Sequence, residues 1–217
     1  MIELLCTIGV VVVLAALLLP ATRSVLAMGD NAGCVSNLRQ MGLAIRNYCN
    51  DHADTLPGPV YTAVTSTYVA PDTYLTGILA EYLGGEPSSS TPRVLKIALC
   101  PAYKREVTPS TWPQGWAYYS AYALMKDGTS IPLYDGSGQL ISPWGRRGGS
   151  GINVQPIKLT TLATYVSPSK TWAIQDADGV NYGAGAPVGA GVAKKPVHGG
   201  HWNQLYFDFH VGAIPVP

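Results

Sequence analysis

The chain has 217 residues, of which 12% are charged, with a formal net charge of +1, and it carries 24 Gly, 17 Pro, 13 Tyr and 5 Trp. Its length suits one domain plus an appendage, and a charged fraction well below the ~25% of average soluble proteins excludes coiled coil and intrinsic disorder. A net charge so near zero offers no field for a phosphate backbone, so nucleic acid is not expected as a partner.

From Leu4 to Leu19 run sixteen residues without a charge, LLCTIGVVVVLAALLL. A helix apolar on every side is stable only among lipid or other apolar helices. At about 1.5 Å per residue it reaches ~24 Å, a little short of a ~30 Å hydrocarbon core. A signal peptide, a membrane anchor, or an anchor that later becomes the core of a polymer are the three readings, and no basic stretch precedes the run to favour the first. Glu3 abuts the run and needs a cation. The nearest is an α-amino group, its own or a neighbouring subunit's, and such a pair would fix axial register between packed helices.

Met1-Ile-Glu-Leu-Leu, the Val/Leu run, Ala15-Ala-Leu-Leu-Leu-Pro20-Ala and Cys34-Val-Ser-Asn-Leu-Arg-Gln-Met-Gly-Leu-Ala-Ile-Arg-Asn-Tyr48 resemble the class III prepilin N-terminus of type IV pilins and type II secretion pseudopilins. At the other end, His198 and, after nine residues, Asp208 resemble the prepilin-type His-x9-Asp-Gly domain of planctomycete and verrucomicrobial pilin-like proteins. Cys100-Pro101 and Pro168-Ser-Lys-Thr-Trp-Ala-Ile-Gln-Asp176 resemble that family's middle landmarks.

The resemblance implies an α+β, pilin-like fold, with a long N-terminal helix of about 50 residues and a C-terminal antiparallel sheet head with long loops. It implies a structural subunit of a type IV pilus-like extracellular filament, or alternatively a pseudopilin of a type II secretion system, and not an enzyme. Its partners would be copies of itself in a helical homopolymer, the inner membrane before assembly, the pilus assembly machinery and a prepilin peptidase. Its place would be the cell surface. Glu3 and Pro20 would serve assembly and register, and Ile2, Leu4, Leu5, Ile8, Val11, Val12, Leu14, Leu17 and Leu18 would form the filament core.

Two departures stand out. The family's glutamate is fifth in the processed chain and here it is third, with Pro20 displaced alike, so the resemblance implies either two further residues upstream of Met1 or a different processing. Phe209 stands where the family has Gly after Asp. Asp-Gly supplies the positive φ of a tight hairpin, which Phe adopts only at a cost, so the turn is expected to be built differently or the strand to run through.

Val25, Met28, Cys34, Leu38, Met41, Ile45 and Tyr48 or Cys49 recur at three- and four-residue steps, predicting that the helix continues with an amphipathic half to near Asp51–Asp54, ahead of Leu56-Pro-Gly-Pro59. Pro20 lacks a donor, so regular hydrogen bonding should lapse between Gly9 and Pro20. The chain thus divides into an apolar helix (1–25), an amphipathic helix (26–54) and a β-rich head (55–217). In the head, 74–83 reads as a short helix, and 94–99, 117–124, 171–175 and 204–211 read as strands. Residues 127–151 and 179–193 are glycine-rich excursions.

Cys6 in the apolar run reads as a packing residue. Cys34 and Cys49 lie fifteen residues apart on one helix, about 22 Å along its axis, and cannot bond each other; Cys100 in the head can reach either. The resemblance favours Cys34–Cys100, with Cys49–Cys100 or free thiols as alternatives. His198, His201, Asp208 and His210 have the residue types of a metal site but no diagnostic spacing, and a His and an Asp satisfying backbone groups around the last hairpin is the stronger reading. By resemblance to pseudopilin heads, Asp176, Asp178 and Asp208 are candidate calcium ligands; no other metal or cofactor is expected. Gly183-Ala-Gly-Ala-Pro-Val-Gly189 is no dinucleotide fingerprint, and no residue set for catalysis emerges.

Overall fold

The computed structural model describes residues 2–106, 116–126, 131–147, 154–181 and 191–217; the segment Gly183–Gly189 and residue Met1 lie outside them. The chain is mixed helix and sheet, with an N-terminal helix and a C-terminal antiparallel sheet. Helical backbone, α1, is assigned from Ile2 to Asp51 without the lapse expected between Gly9 and Pro20. The helix that belongs to the folded unit is shorter than the 50 residues expected: it comprises residues 24–51, about 28 residues. The physical reason is contact, since every described side chain before Asp30 is exposed and no described residue covers it. Val25 and Met28, expected on the buried face, are accordingly 63% and 61% exposed.

From Asp30 on, the amphipathic pattern operates as expected. Cys34, Leu38, Met41, Ile45 and Cys49 are buried at three- and four-residue steps and join the main apolar core. Each fully buried large side chain contributes about 1.5–3 kcal/mol relative to exposure. Helix α1 stops in a left-handed turn in which Asp54 N–H donates to the Cys49 carbonyl at 2.8 Å, with Ala53 and Asp54 at φ 51° and 68°. Asp54 then caps a second element. Its Oδ2 accepts from Thr160 N–H at 2.9 Å and from the Thr160 hydroxyl at 2.7 Å, fixing the start of a short helix at 159–165.

The head contains strands β1 (Ala63–Thr65), β2 (Thr67–Tyr68), β3 (Arg93–Val94), β4 (Trp116–Ser120), β5 (Trp172–Asp176), β6 (His201–Tyr206) and β7 (Val211–Pro215), and helices α2 (Leu75–Ile78), α3 (Tyr103–Glu106) and α4 (Leu159–Tyr165). Five strands form one antiparallel sheet in the order β1-β4-β5-β6-β7, and β2 pairs with β3. Helix α1 packs on β6 and β7, so the sheet lies against the second half of the helix.

Several expected boundaries are corrected. The strand at 94–99 gives way to β3 followed by a 3-10 turn at Lys96–Ala98, which turns both Leu95 and Ala98 inward. The helix at 74–83 is α2 plus a 3-10 turn at Glu81–Leu83, and β4 stops at Ser120 rather than at 124. The strand at 204–211 is two strands, β6 and β7, joined by a hairpin in which Tyr206 N–H donates to the His210 carbonyl. Phe209 takes φ 71° there, the conformation a Gly would have supplied. Its side chain packs against the core, which offsets the strain.

Candidate functional site

Helix α1 and the segment after the Lys96–Ala98 turn meet at Gly33. A Cβ there would sit 3.0 Å from Pro101 Cγ, so the glycine lets the Cys100-Pro101 segment close on the helix backbone. One residue on, Cys34 and Cys100 form a disulfide with Cα atoms 4.8 Å apart, both residues wholly buried. Hydrogen bonds and charge flank it. Asn37 Nδ2 donates to the Leu99 carbonyl at 2.9 Å, and Arg105 pairs with Asp30 at 2.5 Å. Cys49 is buried and free, its thiol pushed up to about 12 chiefly by burial and then by Asp54; Cys6 is free and exposed.

His198 stands against this disulfide. Its Nε2 lies 3.4 Å from Cys100 Sγ and 3.6 Å from Asp176 Oδ2, and both the imidazole and the carboxylate are almost fully buried. Burial pushes His198 down to about 4, helped by His201, and pushes Asp176 up to about 7, helped by Asp178. Near neutral pH the imidazole is therefore uncharged and the contact is not an ion pair. Strand β5 delivers Asp176 opposite Tyr118 of β4, and Asp176 Oδ2 accepts from Asn203 N–H of β6 at 2.7 Å. Asp176 Oδ1 is buried with no hydrogen-bond partner among the described residues.

The remaining expected ligands are dispersed or engaged. Asp178 Oδ1 accepts from Val180 and Asn181 N–H at 2.7 and 3.1 Å, and Asp178 Oδ2 accepts from the Trp202 indole. Asp208 lies beyond the far end of β6, in the hairpin, where its Oδ1 takes His210 Nδ1 at 2.5 Å. The calcium trio Asp176, Asp178 and Asp208 thus does not converge on one point. His201 stacks on His198, ring centroids 5.6 Å apart, but its Nε2 is engaged elsewhere: it meets Asn31 Oδ1 at 3.3 Å, and the same oxygen accepts from Asn203 Nδ2 at 2.9 Å, linking β6 to α1 through amides. Of the two C-terminal landmarks, His198 is in the buried cluster and Asp208 in an exposed turn.

Glu3 and the described members of the expected filament core, Leu4, Ile8, Val11, Val12 and Leu14, are all exposed, the last five by 53–67%. The side chains of Ile2, Leu5, Leu17, Leu18 and Pro20 lie outside the described residues. Among the described residues no helix is long and apolar enough to cross a membrane. What sequence reasoning missed is the junction of Asp176 and His198 with the disulfide. The two residues were singled out separately, and no spacing links positions 34, 100, 176 and 198. No protein-family model matches the chain, and no curated protein or solved structure matches it.

Proposed function

We propose that the chain is a structural subunit of a type IV pilus-like filament, in which the apolar helix of each copy is covered by the same segment of its neighbours and the head faces outward. The observation that carries the reading is the exposure of that helix. Val10, Val11, Val12 and Val13 are each 58–63% exposed in sequence, and Leu4, Ile8 and Leu14 extend the surface around the helix. Contiguous apolar surface of this kind marks an interaction site, and burying it supplies the drive for association. The absence of an amphipathic stripe suits a helix covered on all sides, as in a polymer core, with the inner membrane as its cover before assembly. Glu3 at the start of that surface supplies the one charge with which neighbouring helices would set their register.

The test is electron microscopy of sheared cell-surface material, with mass spectrometry of its subunits, from cells carrying the wild-type chain or Glu3→Ala. Filaments of this chain, depleted in the variant while the head stays folded, would support the reading. Recovery of the chain only as an unassembled surface protein, or only within short periplasmic assemblies, would overturn it, the latter in favour of a secretion pseudopilin.

A further inference from the structure

The chain places two sulfurs and one imidazole nitrogen close together in its interior, with a buried carboxylate beside the imidazole. Cys34 Sγ, Cys100 Sγ and a ring nitrogen of His198 all lie within 4.8 Å of one another. His198 Nε2, at 3.4 Å from Cys100 Sγ, is also 3.6 Å from Asp176 Oδ2. With Zn–S near 2.3 Å and Zn–N or Zn–O near 2.0 Å, the edges of a tetrahedral zinc site are about 3.3–3.8 Å. Two of the edges already have that length. We propose that, when the disulfide is reduced, Cys34, Cys100, His198 and Asp176 bind one zinc ion, so that the cross-link and the metal site are alternative states of the same side chains.

Two further observations point to a ligand at this place. Asp176 Oδ1, in a residue 2% exposed, has no hydrogen-bond partner among the described residues, although a carboxylate so buried ordinarily has both oxygens engaged. The His198 ring directs the same nitrogen at both Cys100 and Asp176, as a ligand does.

The chemistry balances with a phosphine or a dithiol as reductant. Two electrons from the reductant break the S–S bond and yield two thiols, while the reductant becomes a phosphine oxide, taking its oxygen from water, or a disulfide. Zinc then displaces the two thiol protons, and any proton on Asp176, to solvent. Cysteines stay reduced where a chain is synthesised, and disulfides form only in an oxidising compartment. The metal form therefore belongs wherever the two cysteines are kept reduced, and there zinc would hold α1 and the head together in place of the cross-link.

The experiment uses the full-length chain in detergent, reduced without oxygen by a phosphine and compared with the oxidised chain. Zinc is titrated against a chromophoric chelator, and cobalt(II) serves as a spectroscopic stand-in. The expected result is one zinc per reduced chain and none per oxidised chain, with thiolate-to-cobalt charge transfer and tetrahedral ligand-field bands. His198→Gln and Asp176→Asn should each weaken zinc binding by at least about tenfold, while His210→Gln leaves it unchanged. Far-UV circular dichroism checks that each variant is folded, and the oxidised–reduced comparison needs no variant. The proposal is overturned if the reduced chain binds no more zinc than the oxidised one, or if cobalt binds without thiolate charge transfer.

Discussion

Phe209 rests on Gly42. A Cβ at Gly42 would come within 3.5 Å of Phe209 Cβ and 2.9 Å of Leu205 Cδ1, so the β6–β7 hairpin lies directly on the backbone of α1. Gly42→Val should overpack this contact and lower stability by about 1–3 kcal/mol. Gly29 lies on the same helix with nothing within 4 Å of an added Cβ, and Gly29→Val should stay within about 0.5 kcal/mol of wild type. Chemical denaturation of the two variants checks the pair, and equal stabilities would show that the hairpin does not depend on this approach.

The free cysteines should differ in reactivity. Cys49 is buried and its thiol is held up to about 12 by burial and then by Asp54, whereas Cys6 is exposed. The attacking species is the thiolate. Iodoacetamide at neutral pH should therefore label Cys6 in the native, oxidised chain and reach Cys49 only after denaturation. A peptide map showing native alkylation of Cys34 or Cys100 would contradict the disulfide itself.

Removing that disulfide should weaken the head's hold on its helix. The bond joins positions 66 residues apart, and restricting such a loop in the unfolded chain stabilises by about 2–4 kcal/mol. Cys34→Ala with Cys100→Ala should lower the unfolding midpoint accordingly, measured in the presence of a chelator so that no metal compensates. Because the polymer contacts of the proposed filament lie in the apolar helix, assembly should change less than stability does.

The buried His198–Asp176 pair predicts crossed pH dependences in the oxidised chain. Asp176 is raised from 3.8 to about 7 by burial, so its contribution is full below the unfolded value and is lost as pH rises through 7. His198 is lowered from 6.5 to about 4 by burial, so its contribution is full above 6.5 and is lost as pH falls through 4. Within that window the two slopes oppose each other. Asp176→Asn leaves the histidine alone and should lose stability as pH falls from 6.5 towards 4. His198→Gln leaves the carboxyl alone and should lose stability as pH rises from 3.8 towards 7. His201, Asp30 and Arg105 face His198, and Asp178 and Tyr118 face Asp176, in both variants. Parallel slopes in the two variants would show that these groups, and not the pair, set the dependence.

The parts of the fold written in local pattern were legible. Cys34, Leu38, Met41 and Ile45 announce a buried helical face, and β5 was legible because residues 171–175 are rich in aromatic and β-branched side chains. Where tertiary contact overrides local preference, the reading slipped. Phe209 is no turn former, yet packing holds it at φ 71°, so one strand was expected where a hairpin stands. The apolar run at 94–99 has the composition of a strand but coils to bury Leu95 and Ala98 at once. Val25 and Met28 fit the helical period and still face outward, because the head covers the helix only from Asp30 on. The candidate site was legible as separate residues and not as a cluster, since its members come from α1, a turn, β5 and the Gly199-Gly200 loop.

The position of Cys34 governs how tension along α1 would enter the head. Counted from the apolar end, Cys34 is the first wholly buried residue of the helix among the described residues, ahead of Leu38, Met41 and Ile45. Force applied at the N-terminal end would cross into the head through the Cys34–Cys100 bond before it reached those apolar contacts. While the disulfide is intact, the packing behind it is shielded from shear. Once it is reduced, the same force must slide or peel the helix out of its groove, a far weaker mode of resistance.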